Sequence, residues 1–110
     1  MTVDALLYET LTTAFDYLVE RTIYTGKEER YITYQFSTVA DDFGDDMPGH
    51  ERYLVLVNLF LPLATNPNPD IRKMKTALLD AGFTWPDTQD MTDENGRHIV
   101  FECEIANGVD

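Results

Sequence analysis

The sequence predicts an α+β protein, a two-layer sandwich with two helices on one face of a four-stranded antiparallel sheet. Apolar residues recur at helical spacing in two segments, and the segments that follow each of them are rich in alternating or β-branched apolar residues. The elements therefore come in the order αββαββ. Two helices can cover only one face of such a sheet. A chain of 110 residues supports one core, so we expect a single domain spanning residues 1–110.

The two predicted helices are amphipathic. The first covers residues 3–20, and its apolar stripe consists of Val3, Leu6, Leu7, Leu11, Ala14, Phe15, Leu18 and Val19. The second follows "NPNPD", with Asn68 as the N-cap and Pro69 at the first helical position. Gly82 is a natural stop at its carboxyl end. Both helices thus have one face that must be buried.

Four segments are predicted to be strands. Residues 31–39 alternate between apolar and polar side chains, which is typical of a strand with one wet face. Residues 52–61, "RYLVLVNLFL", are apolar at nearly every position and form the second strand of an antiparallel pair. A short strand that begins at "FTW" follows the second helix. The turn "DENG" then leads into a last alternating strand at residues 97–106.

The strand at residues 52–61 bears most directly on function, because it is apolar on both faces. One face carries Tyr53, Val55, Val57, Leu59 and Leu61. The other carries Leu54, Leu56 and Phe60, interrupted by Asn58. Since the helices cover only one face, an apolar row should remain on the other, where it would be an exposed patch in a monomer. Either a partner or a second copy covers this row, or the segment "TIYT" at 22–25 or a loop folds over it.

The charge of the chain excludes several partners. Twenty acidic residues against eight basic ones give a net charge of -12. Binding to a phosphate backbone or to an anionic membrane surface is therefore unfavourable. Expected partners are basic proteins, or further copies of the chain joined through apolar surface, although acidic excess also serves solubility. The single cysteine, Cys103, fits a reducing compartment.

Four aspartates crowd the segment "ADDFGDDMPGH" at residues 40–50, and they are Asp41, Asp42, Asp45 and Asp46. They come as two adjacent pairs, whereas an EF-hand supplies its oxygen ligands at alternate positions. We therefore predict no metal site there. The cluster, which continues to Met47 and His50, is expected to be a solvated loop or a contact surface for a basic partner.

Motifs for catalysis are lacking. Ser37 is the only serine and lies in mid-strand, without the glycine-flanked turn of a nucleophile elbow. Cys103 shares an alternating face with apolar residues, which favours a buried, inert thiol. Neither His50 nor His98 has a second histidine at metal-ligand spacing. No glycine-rich phosphate loop is present. The sequence predicts a protein that is not an enzyme and has no cofactor.

Several segments together resemble a known family across almost the whole chain. They are "YTGKEERYITYQF", "ADDFGDD", "HERYLVLVNLF", "IRKMKTALLDAGFTW" and "DENGRHIVFECEI". In pattern and order they resemble the small tail-completion, or tail terminator, proteins of long-tailed phages and of prophages in Gram-positive bacteria. The most telling parts are "YITY", the aspartate pair ahead of the second strand, and the helix end "LLDAGF" followed by a hairpin.

The resemblance implies a structural role in the virion. Proteins similar to the lambda tail terminator form a ring, usually a hexamer, on the head-proximal end of the tail tube. There they stop tube polymerisation and meet the head connector. The expected location is thus the tail, at the head–tail interface, after assembly in the host cytoplasm. DNA would only pass through the bore, where an acidic lining repels its phosphates and lets the duplex slide.

The candidate contact residues form two groups. The acidic segment from Asp41 to His50 is expected to project from the first hairpin. The second group, Arg72, Lys73 and Lys75 on the second helix, could pair with a neighbour's acidic segment, or be a solvated helix face. An alternative function is an acidic DNA mimic that occupies a basic groove on a host or defence protein. Such a mimic should spread its carboxylates along a face, whereas here they cluster at 41–46 and 87–94.

Overall fold

The computed structural model describes residues 2–44 and 47–106, which form two helices and a five-stranded mixed sheet. The elements are α1 Val3–Ala14, β1 Leu18–Arg21, β2 Tyr31–Gly44, β3 Met47–Leu61, α2 Asn68–Asp80, β4 Asp87–Asp90 and β5 Arg97–Ala106. The α+β class is confirmed. The four-stranded antiparallel sheet and the αββαββ order are wrong, because the described residues follow the order αβββαββ.

The additional strand comes from the second half of the predicted first helix. α1 ends at Ala14, and Phe15 has an extended backbone with φ of -127° and ψ of 146°. Residues Leu18–Arg21 then pair in parallel with β2. Val19 is buried between two exposed neighbours, so the burial period here is two. The apolar stripe was real, but pairing with β2 outweighs a helical continuation past two threonines, which are weak helix formers.

The sheet has the order β1-β2-β3-β5-β4, and every neighbouring pair except β1 with β2 is antiparallel. β3 lies at the centre. It pairs with β2 from Phe60 to Met47 and with β5 from Leu61 to Arg52. The helical layer covers only one face of β3, so the core accounts for only one of its two apolar faces.

The core lies between the helices and one face of the sheet. In register, Val57 is opposite Tyr34 on one side and Phe101 on the other, so these three side chains share that face. The helical layer adds Leu7, Leu11, Met74 and Leu78, each with 0% exposure, to the same apolar cluster. The predicted placement of both helices on one face is confirmed.

The ends of α2 differ slightly from the prediction. The N-cap is Pro67, and Asn68 is already the first helical residue, with its N–H donating to Asn66 Oδ1 at 3.1 Å. Gly82 ends the helix as predicted: its φ is +105°, and the N–H of the next residue donates to the Leu78 carbonyl at 3.0 Å.

The predicted strand at "FTW" is wrong. β4 is Asp87–Asp90, so it begins four residues after Phe83, and all four of its side chains are exposed. Thr84 nevertheless lies beside β5, since its N–H donates to the Glu104 carbonyl at 2.8 Å and its hydroxyl accepts from the Glu104 N–H at 2.9 Å. β4 consists of four exposed polar residues. It therefore lacks the alternation of apolar and polar side chains from which a strand is predicted.

Candidate partner-binding surfaces

The predicted acidic loop is mostly strand. The structure places Asp41 and Asp42 in β2 and Met47 and His50 in β3, while Asp45 and Asp46 lie outside the described residues. Asp42 is in register with His50, and Met47 with Gly44. Aspartate, glycine and proline are poor strand formers, which is why the sequence favoured a loop. Pairing within the hairpin satisfies the backbone instead.

This β2–β3 hairpin extends beyond its flanking strands. β1 accompanies β2 only as far as Tyr34, and β5 accompanies β3 to Arg52. The part of β2 after Tyr34, residues 35–44, spans about 30 Å at the rise of a β-strand. The register shifts on either side of Asp42 mark a bulge or irregularity in the pairing. The hairpin is thus an arm, on a molecule with overall dimensions of 54 × 25 × 25 Å.

The face of the sheet opposite the helices carries the predicted apolar row. Leu54, Leu56 and Phe60 alternate with the buried side chains of β3, so they lie on this open face, and Leu54 is 40% exposed. Asn58 interrupts the row as predicted, and its Oδ1 lies 3.0 Å from His98 Nε2. Burial lowers the pKa of His98. The row therefore divides into an aromatic end and a leucine end.

Stacked rings form the aromatic end. Phe60 stacks on Tyr31, with 4.4 Å between ring centroids, and on His98, with 4.3 Å. The ring centroids of Tyr24 and Tyr31 are 4.8 Å apart. The "TIYT" segment thus contributes one ring to this end through Tyr24, but Leu54 at the other end stays exposed. The 22–25 segment therefore contacts the aromatic end of the row. The leucine end is left for a partner or a second copy to cover.

The leucine end lies between two shallow depressions that share Leu54 and Glu102. One, of about 290 Å³, is otherwise lined by Gln35, Phe36, Ser37, Val55 and Leu56. The other, of about 150 Å³, is otherwise lined by Thr84, Trp85, Asp87, Cys103 and Glu104. Apolar and acidic side chains therefore alternate across this part of the open face.

The three basic residues of α2 do not form one patch. The Lys73 ammonium lies 5.0 Å from the centroid of the Phe15 ring, and the Lys75 ammonium lies 5.7 Å from that of Trp85. Residues two apart on a helix are separated by roughly 200°, so these lysines lie on different sides of α2. Arg72 is exposed next to Lys73. The predicted group of three is therefore spread around α2 with Arg72 between the two lysines, and Arg72 and Lys73 are its exposed members.

Cys103 is 3% exposed, and burial raises the pKa of its thiol to about 12. The predicted buried thiol is confirmed, and a thiol with so high a pKa is a poor nucleophile at neutral pH. Among the residues that the structure describes, no three of the types His, Cys, Asp and Glu are grouped so as to hold a metal ion. Neither described helix is long and apolar enough to cross a membrane.

One recess was missed by the sequence reasoning. It has a volume of about 480 Å³, and it lies between residues 26–29 and the turn at 93–96, with Tyr31, Phe60 and His98 among its lining. These three rings come from three strands that are far apart in the sequence. To predict that they meet, one needs the pairing register of β2, β3 and β5. The alternation within each strand does not give that register.

No protein-family model matches the chain, and no curated protein matches its sequence. Inferences about function therefore rest on the resemblance in pattern described above and on the surfaces of the molecule.

Proposed function

We propose that this protein is a structural virion protein that closes the head-proximal end of a phage tail tube as a homo-oligomeric ring and joins the tail to the head connector. The kind of virus comes from the resemblance in sequence pattern. The structural observation that supports a role in assembly is the β2–β3 hairpin, which continues past β1 and carries Asp41 and Asp42. An arm of this kind reaches beyond its own subunit.

A ring requires a contact between two different surfaces of neighbouring subunits. The acidic hairpin and the exposed pair Arg72 and Lys73 on α2 are two such surfaces with opposite charge. An exposed ion pair contributes only about 0–1 kcal/mol, so these charges decide which surfaces meet more than how tightly. The backbone of β2 beyond Tyr34 adds hydrogen-bonding groups that a neighbouring strand can pair with. We propose six subunits, the usual number in proteins similar to the lambda tail terminator.

The net charge of -12 suits a ring through which DNA passes. Carboxylates lining the bore would repel phosphates, so that the duplex slides without being held. In this proposal the ring contacts the tube protein and the head connector, performs no catalysis and needs no cofactor.

The decisive test replaces Asp41, Asp42, Asp45 and Asp46 with asparagine. We expect normal folding but weaker ring assembly than in a control with the same change of net charge, because ion pairs with Arg72 and Lys73 of a neighbouring subunit are lost. Two such pairs at a few tenths of a kcal/mol each amount to about three- to fivefold in association. Light scattering after size exclusion measures the ring, and negative-stain images of tails together with infectious yield measure its function.

A matched control removes four exposed carboxylates elsewhere, by Glu9→Gln, Asp16→Asn, Asp80→Asn and Glu94→Gln. It gives the same change of net charge and so the same relief of repulsion between copies, but it should keep the proposed contact, so assembly and yield should be at least those of the unmodified protein. Unchanged yield for the hairpin variant, or a wild-type protein that stays monomeric and never caps tails, contradicts the proposal. Recovery of a nuclease or polymerase in a pull-down, abolished by moderate salt, would instead favour the acidic DNA mimic.

A further inference from the structure

Two carboxylates lie opposite each other at the leucine end of the open face. Asp87 on β4 is in register with Glu102 on β5, which places their Cβ atoms about 5 Å apart on one face. Both side chains are exposed. Glu104 forms an ion pair with Arg52, whose Nη1 lies 3.3 Å from Glu104 Oε1. By contrast, no ion pair within residues 2–44 and 47–106 neutralises Asp87 or Glu102.

Like charges placed directly opposite on neighbouring strands destabilise a sheet. Among the described residues no basic side chain forms an ion pair with either carboxylate, and Lys75 lies over the Trp85 ring instead. A cation that came from outside the chain would relieve it. A lysine or arginine beside both carboxylates would gain attraction from each.

The surroundings of the pair are apolar. Leu56 is the β3 neighbour of Glu102 in register, and Leu54 is shared by the two depressions of about 290 and 150 Å³. Leu54 is 40% and Trp85 54% exposed, although both are large hydrophobic residues. A partner that is complementary to this surface therefore has apolar side chains next to basic ones.

A second copy of the chain does not fit this surface face to face. In such a contact the same patch meets itself, so the Asp87–Glu102 pairs of both copies would approach one another. Each copy also brings a net charge of -12. Nucleic acid and anionic membranes are repelled for the same reason.

We propose that the surface formed by Leu54, Leu56, Trp85, Asp87 and Glu102 docks a basic amphipathic segment of a different protein. Its apolar side chains lie on the two leucines and the tryptophan, and a lysine or arginine lies between the two carboxylates. This surface is separate from the hairpin and from the Arg72–Lys73 pair used in the proposed ring. The inference thus goes beyond the ring and stands or falls independently of it.

Trp85 is the only tryptophan of the chain, so its fluorescence reports on this surface. The probe is a 14-residue peptide of leucine and lysine with an amphipathic helical pattern and no tryptophan. Two comparison peptides replace every lysine with glutamate, or every leucine with serine. We expect the leucine–lysine peptide to shift the Trp85 emission to shorter wavelength in a saturable way, and the other two to leave it unchanged.

Two pairs of variants locate the contact. Asp87→Asn with Glu102→Gln should weaken binding of the leucine–lysine peptide by about tenfold or more, whereas Glu9→Gln with Asp80→Asn, the same charge change on the helices, should leave it within about twofold. Leu54→Gln should weaken it similarly. Leu79→Gln, at a leucine of α2 that is 48% exposed, should not.

Three results would overturn the proposal. Equal losses in the two double variants would show attraction by net charge alone. Equal binding of the lysine–serine peptide would remove the role of the leucines. A Leu54→Gln variant that abolishes self-association and leaves peptide affinity unchanged would make a second copy the occupant. The comparison of peptides uses the unmodified protein, so it decides the question even where a variant fails to fold.

Discussion

Two tyrosine–aspartate hydrogen bonds connect the helical layer to the rest of the chain. The Tyr34 hydroxyl on β2 donates to the Asp4 carboxylate, and the Tyr17 hydroxyl donates to Asp70 at 2.6 Å. Both aspartates lie in the first turn of a helix, where the helix dipole favours negative charge. Arg21 adds an ion pair with Asp4 at 3.3 Å. Each helix start is thus held by a phenol as well as by its apolar face.

Tyr34 should make the stability of the fold decrease at alkaline pH. Burial, and then the hydrogen bond to Asp4, raise the pKa of Tyr34 well above its ordinary value near 10. Because the unfolded chain releases this proton first, stability is fully present below about pH 10 and falls as the pH rises further. We expect denaturant midpoints to decrease from about pH 10 to about pH 12, and Tyr34→Phe to flatten this decrease.

Tyr34→Phe should also cost about 1 kcal/mol at neutral pH, the contribution of one hydrogen bond, while Asp4 keeps its ion pair with Arg21. Urea unfolding followed by circular dichroism measures both effects. Tyr8→Phe is the matched control, because Tyr8 is 52% exposed and is the smallest of the influences on the pKa of Tyr34, so it should change stability and its pH dependence far less. An alkaline decrease as steep in Tyr34→Phe as in the unmodified protein would show that other groups cause it.

At the scale of elements, the sequence predicted best where burial has a clear period. β5 is Arg97–Ala106 as expected, and β3 has the two predicted faces. The misses occur where tertiary contacts decide. β1 forms because β2 offers it an edge, and β4 forms on an edge of β5 without any apolar side chain of its own. Local pattern cannot report an interaction whose other half lies far along the chain.

The candidate surfaces also divide into features that local pattern predicts and features that tertiary contacts decide. The apolar row on β3 was predictable, because alternation alone assigns Leu54 and Leu56 to one face. The pairing of Asp87 with Glu102 was not, since it depends on a register between strands joined by a turn that begins after Asp90. Nor could the sequence show that Lys73 and Lys75 contact rings on different elements.

The hairpin arm should be removable without loss of the fold. Ala40 and Glu51 are in register on β2 and β3, so an Asn-Gly turn can join them directly in place of residues 41–50. The core lies elsewhere, among the helices and the strands that cover them. We expect the shortened protein to keep its circular dichroism spectrum and to change its free energy of unfolding by less than about 1 kcal/mol.

The same shortened protein should be monomeric at concentrations where the complete chain forms rings. Light scattering measures this, and binding of the leucine–lysine peptide to the Trp85 surface provides an internal control, because that surface is intact. Rings formed by the shortened protein would show that subunits contact each other through the body of the molecule, and would remove the hairpin from the proposed interface.

Considered as a whole, the molecule combines surfaces that attract locally with a charge that repels overall. Each subunit contributes -12 to any assembly of copies, and this repulsion acts over the full Debye length, about 30 Å at 0.01 M salt and about 10 Å at 0.1 M. The ion pairs proposed at the ring contact would involve Arg72 and Lys73, which are exposed, and would contribute about 0–1 kcal/mol each. Between copies, the repulsion should therefore be the larger electrostatic effect.

Salt should consequently act in opposite directions on the two proposed associations. Raising it from about 0.01 M to about 0.15 M shortens the Debye length to about 8 Å, which should promote ring formation between like-charged subunits and weaken binding of the basic peptide. Light scattering and Trp85 fluorescence on one salt series measure both. If salt disperses the rings as well, local ion pairs rather than net repulsion govern assembly, and the contact of the hairpin with Arg72 and Lys73 contributes more than its exposure suggests.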